Sequence, residues 1–123
     1  MTRRDVEHTP DGRWIVVDGR RWRRQDPALP PEVAARLRSH LGRARAAVRT
    51  VRRHGTEEEL RAVRDRVGLA KLGLGERGTP WWEQSSAERE ARWTDALAQL
   101  DAQAPPEPDD AARSAGRSRH AAD

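Results

Sequence analysis

Residues 31–74 read PEVAARLRSHLGRARAAVRTVRRHGTEEELRAVRDRVGLAKLGL, and their spacing decides the fold. Apolar residues recur at Val33, Leu37, Leu41, Ala44, Val48 and Val51, at intervals of 4, 4, 3, 4 and 3. That is a helical seam with a period near 3.5. A second seam follows at Leu60, Val63, Val67, Ala70 and Leu74, spaced 3, 4, 3 and 4. Between the two, Gly55 stops the first helix, and Thr56 with Glu59 forms a capping box for the second. Glu57, Glu58 and Glu59 also suit the positive end of that helix's dipole. Pro31 opens the first helix, at a position where its missing N–H costs nothing. Two helices joined only by Gly55-Thr56 must fold back antiparallel, seam against seam. The spacing therefore predicts helices over 31–54 and 57–74.

Upstream, Arg13-Trp14-Ile15-Val16-Val17 and Arg20-Arg21-Trp22-Arg23-Arg24 flank Asp18-Gly19. Asp-Gly between strand-like runs signals a β-hairpin, because a type I′ turn needs positive φ at both central residues. A two-residue loop sets Val17 opposite Arg20, Ile15 opposite Trp22 and Trp14 opposite Arg23. Ile15, Val17 and Trp22 then share one face, expected to be the buried one. Trp14 and Val16 share the other with Arg21 and Arg23. The hairpin spans 13–24, and Pro27, Pro30 and Pro31 form a stiff connector to the helices.

Downstream, Ala62, Leu69 and Leu72 make a further apolar stripe on the second helix. Trp81 and Trp82, arriving after the turn Gly78-Thr79-Pro80, are candidates to cover it. Ser85 caps toward Glu88 and predicts a short third helix over 86–101, with Trp93, Leu97 and Leu100 on one face. Residues 1–11 and 102–123 are polar or lack periodicity and are expected to be disordered. The fold class is thus mainly α. An N-terminal β-hairpin packs on an antiparallel helical hairpin, with a short third helix, in a single small domain over 12–101.

Composition agrees with a thin core. The chain has 123 residues and five Trp, but no Phe, Tyr or Cys. Leu, Val and Ile together number only 18, so the tryptophans must carry much of the buried area. The lack of Cys excludes disulfides, thiolate metal sites and a Cys nucleophile. The longest strongly apolar run is Ile15-Val16-Val17, far short of the roughly 20 residues of a membrane span. MTRRDVEHTP holds no apolar stretch of a signal peptide. No membrane association and a cytoplasmic location are expected.

Of the 24 basic residues, 23 are Arg. Phe, Tyr and Asn are absent, and Ile, Met and Lys occur once each. All six use AT-rich codons, so GC-rich coding explains Arg over Lys. The charge itself still matters, and it is polarised. Residues 20–53 hold eleven Arg against Asp26 and Glu32, a net of +9, whereas residues 79–103 have a net of −3.

Arg38, Arg45, Arg49 and Arg52 line one flank of the first seam, and Arg36 and Arg43 the other. With Arg20, Arg21, Arg23 and Arg24 of the hairpin, the first row could track a phosphate backbone. Trp14, if exposed, could stack on a base or contact a partner. The structural alternative is a solvated flank with some Arg paired to Glu57, Glu58 and Asp65. Ala35, Ser39, Gly42 and Ala46 form a small-residue stripe that either the hairpin or third helix covers, or a second copy does.

Gly73-Leu74-Gly75-Glu76-Arg77-Gly78 matches the dinucleotide-binding pattern in letters only. It follows a helix rather than a strand, so it reads as a helix stop. The four His share no ligand spacing, and no Ser, His and Asp arrangement suggests a nucleophile. The expectation is a protein that is not an enzyme, with no cofactor, metal or small-molecule substrate. It would bind nucleic acid or another polyanion through its Arg-rich surface. Alternatively, it is a protein-interaction or self-assembling module meeting an acidic protein or its own copy.

Residues 11–23, Asp26-Pro27, Ala44-Arg45-Ala46-Ala47-Val48-Arg49, and Leu74-Gly75-Glu76-Arg77-Gly78 with Trp81-Trp82 carry a further signal in that order. Over about residues 11–83 they resemble a family of small bacterial proteins often labelled "biopolymer transporter Tol". The resemblance implies a bacterial source and the same fold. The label implies a transport role, but the resemblance supplies no catalytic or ligand residues.

Overall fold

The structure is a computed structural model that describes residues 7–106. The disorder expected for 1–6 and 107–123 falls outside the described residues. Three strands come first: β1 (Glu7–His8), β2 (Trp14–Val17) and β3 (Arg20–Arg23). They form one antiparallel sheet in the order β1-β2-β3. Three helices follow, α1 (Pro31–His54), α2 (Glu57–Leu74) and α3 (Ser86–Gln103), with a 3-10 turn at Trp81–Glu83 before the last. Helix α3 runs two residues past the expected Asp101.

The hairpin adopts the expected register, with Trp14 opposite Arg23, Ile15 opposite Trp22 and Val17 opposite Arg20. Asp18 and Gly19 have φ of 53° and 77°, as a type I′ turn requires. Strand β1 corrects the expectation that residues 7–11 are disordered. Glu7 pairs with Val16 and His8 with Ile15. A turn at Thr9-Pro10-Asp11-Gly12 makes this possible. The Asp11 carboxylate accepts from Thr9 Oγ1 at 2.5 Å and from the Arg13 N–H at 3.1 Å, while Gly12 supplies φ of 73°. This is ordinary turn chemistry. The bond from Thr9 and then that from Arg13 hold the Asp11 pKa below its usual value.

Both capping boxes form. Thr56 Oγ1 accepts from the Glu59 N–H, and Ser85 Oγ from that of Glu88, each at 3.1 Å. The seams meet as expected, and Leu37, Leu41, Ala70 and Leu74 share a buried cluster with Trp93, Leu97 and Leu100 of α3. Helices α1 and α3 both approach α2 closely at Gly73. A Cβ there would stand 2.9 Å from both Ala96 Cβ and Leu37 Cδ2, so any side chain would push helices apart.

The hairpin packs by the face not expected to be buried. Trp22 is 44% exposed. Trp14, on the opposite face, meets Trp82 edge to face at 5.6 Å, and Trp82 meets Trp81 at 5.1 Å in the same manner. Each hairpin face carries one Trp, and the downstream Trp pair selects Trp14. The small-residue stripe is likewise uncovered. Ala35, Ser39, Gly42 and Ala46 are exposed, and open space surrounds Gly42.

One buried carboxylate joins the parts. Asp26, fully buried, follows the sheet. Its Oδ2 accepts from Arg89 Nε at 2.9 Å and Arg92 Nη2 at 2.7 Å, and its Oδ1 from Arg89 Nη2. Its N–H donates to the Leu74 carbonyl at the end of α2. Arg92 also reaches the Gly73 carbonyl and Gln84 Oε1. Trp81 Nε1 donates to the Arg24 carbonyl at 2.9 Å. Sheet, α2 and α3 are therefore held at one point. Burial pushes the Asp26 pKa up, but the bonds from Arg89 and Arg92 outweigh it, and the net shift is downward.

Candidate polyanion interface

The arginines expected to form one surface divide into two groups. Those of the hairpin are engaged within the fold. Arg20 lies over Trp22 and Arg21 over Trp14, each 4.7 Å from the ring centroid. Arg23 lies 5.8 Å from Trp82 and donates to the Gly78 carbonyl at 2.8 Å. Arg24 donates to the Gly12 carbonyl at 3.3 Å. Guanidiniums within about 6 Å of an aromatic face are attracted to it. The Trp14 ring is thus flanked by Trp82 and Arg21. Arg38 donates to Gln25 Oε1 at 3.1 Å.

The second group lies along the α1–α2 junction. Arg45 and Arg49 of α1 are one helical turn apart. They line an open groove of about 440 Å³ with Val48, Arg64, Val67 and Arg77. Val48 and Val67 are seam residues. Arg49 also borders a smaller recess with Thr50, Arg53 and His54. Arg52, in the last turn of α1, is exposed. Among the described residues, none of Arg45, Arg49, Arg64 and Arg77 has an ion pair or hydrogen bond. Among the described residues, the alternative pairing of the flank with Glu57, Glu58 and Asp65 is not seen.

Arg64 and Arg77 were not marked by the sequence reading. Arg64 follows the seam residue Val63, a flank position that its spacing could have revealed. Arg77 depends on backbone reversal. Gly75, in the left-handed region at φ 86°, caps α2, with its N–H donating to Leu72 and that of Glu76 to Lys71. The chain then turns back, and Arg77 lies over Gly68. A Cβ on Gly68 would stand 3.5 Å from Arg77 Nη1.

Glu76 interacts with this charge. Burial raises its pKa, while Lys71, Arg45 and Arg77 pull the other way. Lys71 is lowered by burial, and then by Arg77 and Arg45. Like charges therefore converge here with one half-buried carboxylate to offset them.

A second polar cluster lies between α1 and the end of α3. His40 is 2% exposed. Its Nε2 is 2.7 Å from Asp101 Oδ1, and its Nδ1 is 3.0 Å from Arg43 Nη2. A guanidinium only donates, so Nδ1 accepts and the proton sits on Nε2, facing Asp101. Arg36 pairs with Asp101, and Arg43 also donates to the Pro105 carbonyl at 3.2 Å. Both ring nitrogens are thus occupied within the fold.

This cluster sets a pH response. Burial lowers the His40 pKa, and Arg43 and Arg66 add to that, against Asp101. An unfolded histidine titrates near 6.5, so the unfolded chain takes up this proton first as pH falls. The stabilisation is complete above about pH 6.5 and is lost as pH falls through the lowered folded value. The urea midpoint should be lower at pH 5.5 than at 7.5, and His40→Gln should flatten that difference. An equal decline in the variant would assign the titration to another group.

No described helix is long and apolar enough to cross a membrane. Among the described residues no group of three or more His, Cys, Asp or Glu could hold a metal ion. Comparison with family models, curated proteins and solved structures returns no match.

Proposed function

We propose that this protein is a non-catalytic binding protein that contacts nucleic acid or another polyanion through the α1–α2 groove and the adjoining Arg52. The observation that carries this reading is the set of four guanidiniums around Val48 and Val67, with no ion pair or hydrogen bond among the described residues. Bringing like charges together costs free energy that a bound anion recovers. Guanidinium forks match phosphate oxygens in pairs. The hairpin arginines contribute less, because rings and backbone carbonyls already hold them. This narrows the surface from the eight arginines read in the sequence to Arg45, Arg49 and Arg52, and adds Arg64 and Arg77.

Fluorescence anisotropy with labelled duplex DNA over a salt series tests the proposal. Each phosphate neutralised contributes about −0.9 to the slope of log K against log salt. Four groove cations therefore give a slope of roughly −3 to −4. Arg45→Gln with Arg49→Gln should reduce its magnitude by about two. Glu76→Gln, which removes the local carboxylate, should tighten binding severalfold. No binding at about 50 mM salt would overturn the proposal.

A further inference from the structure

We infer that the groove takes the sugar–phosphate backbone of duplex nucleic acid without regard to base sequence. This rests on the polyanion reading and narrows it to one ligand class. The lining is Arg45, Arg49, Arg64, Arg77, Val48 and Val67, and each part of it bears on the ligand.

No aromatic ring lines the groove. Trp14, Trp81 and Trp82 pack on one another, Trp93 is buried in the core, and Trp22 lies under Arg20 on the hairpin. Single-strand binding draws on stacking between bases and aromatic rings, and this groove offers none. Nor does the lining carry an amide, hydroxyl or carboxylate to read base edges beside the guanidiniums. A guanidinium by itself reads guanine alone, and the Asn, Gln and Glu that read adenine and cytosine are not among the lining residues.

What remains is positive charge at the rim and a narrow apolar floor. Phosphate oxygens suit the first, and the C–H faces of a sugar suit the second. A duplex presents one charge per about 1.7 Å of axis, against about 3.4 Å for one strand. Four cations contributed by two helices and a loop thus meet more phosphates on a duplex. An acidic peptide offers carboxylates at lower density, so its match to the same rim is poorer.

The test measures anisotropy of the full chain at about 50 mM salt with four probes. These are two duplexes of about 20 base pairs and permuted sequence, one of their single strands, and a polyglutamate peptide of equal formal charge. The two duplexes should bind within about threefold of each other, where a base-reading protein separates sites by about 10³ or more. The single strand and the peptide should each bind at least about fivefold more weakly. Arg64→Gln with Arg77→Gln should weaken duplex binding at least about tenfold and lower the salt slope by about two, whereas Arg61→Gln, an exposed α2 arginine outside the groove, should change it little. Circular dichroism checks that the double variant remains folded. Arg64→Lys with Arg77→Lys keeps the charge and should retain most of the salt slope. If wild type binds none of the probes, the polyanion proposal itself fails. If it binds duplex but prefers the single strand or the peptide, or separates the two duplexes by about tenfold or more, the polyanion proposal stands and this inference fails. If the Gln pair binds duplex like wild type, the groove is not the site and both fail.

Discussion

Asp26→Asn is expected to lower the melting temperature by roughly 15–30 °C. The carboxylate is fully buried and accepts from Arg89 and Arg92, whose side chains are 20% and 5% exposed. Breaking a buried pair by removing one partner costs about 3–5 kcal/mol, because the other charge stays buried and uncompensated. Here one change deprives two guanidiniums. An amide also presents an NH₂ to donors, so part of the hydrogen bonding becomes repulsive. In a domain this small, each kcal/mol moves the midpoint by about 4–8 °C. Thermal melts followed by circular dichroism check the shift. Adding Arg92→Met to Asp26→Asn should recover part of the loss, since it removes one stranded charge. A shift below about 5 °C would mean that the carboxylate contributes little.

Trp81→Ala is expected to cost about 3–5 kcal/mol, the usual range for a large buried ring. Trp81 is 9% exposed, and its loss should fall unevenly on the molecule. Its indole N–H holds the Arg24 carbonyl at the end of the sheet, and its ring supports Trp82, on which Trp14 rests. The α1–α2 seam does not pass through it. Amide exchange should therefore accelerate first at the ladder positions of β2 and β3, while the centres of α1 and α2 keep the slowest rates. Uniform acceleration throughout would show that sheet and helices open as one unit.

The helix pair was readable because its signals are local. Seam spacing, Gly55 and the Thr56–Glu59 capping box each lie within a few residues of what they determine. The same holds for Asp18-Gly19, which set the hairpin register. Which hairpin face is buried depends on Trp82, far along the chain, and the hairpin's own residues carry no mark of that choice. Thr9-Pro10-Asp11-Gly12 carries a local mark in its turn chemistry, but its polar composition is equally that of an unstructured terminus. Asp26 could not be read as a buried group. A lone acid among arginines looks like dilution of charge, and Arg89 and Arg92 stand 63 and 66 residues away.

The proposed surface follows the same rule. Arg45, Arg49 and Arg52 were visible from their helical spacing. The engagement of Arg20, Arg21, Arg23 and Arg24 was not, since it requires rings and carbonyls placed by the tertiary fold. Arg77 reaches the groove only because Gly75 reverses the chain over a glycine at 68.

The joint at Asp26 ties the start of the described chain to its last helix. A fragment ending after α2 would retain both seams of the helical hairpin, yet its Asp26 would lose both guanidinium partners and Leu37 and Leu74 would lose Trp93, Leu97 and Leu100. Truncation before α3 thus removes the arginines that neutralise a charge laid down before the first helix begins.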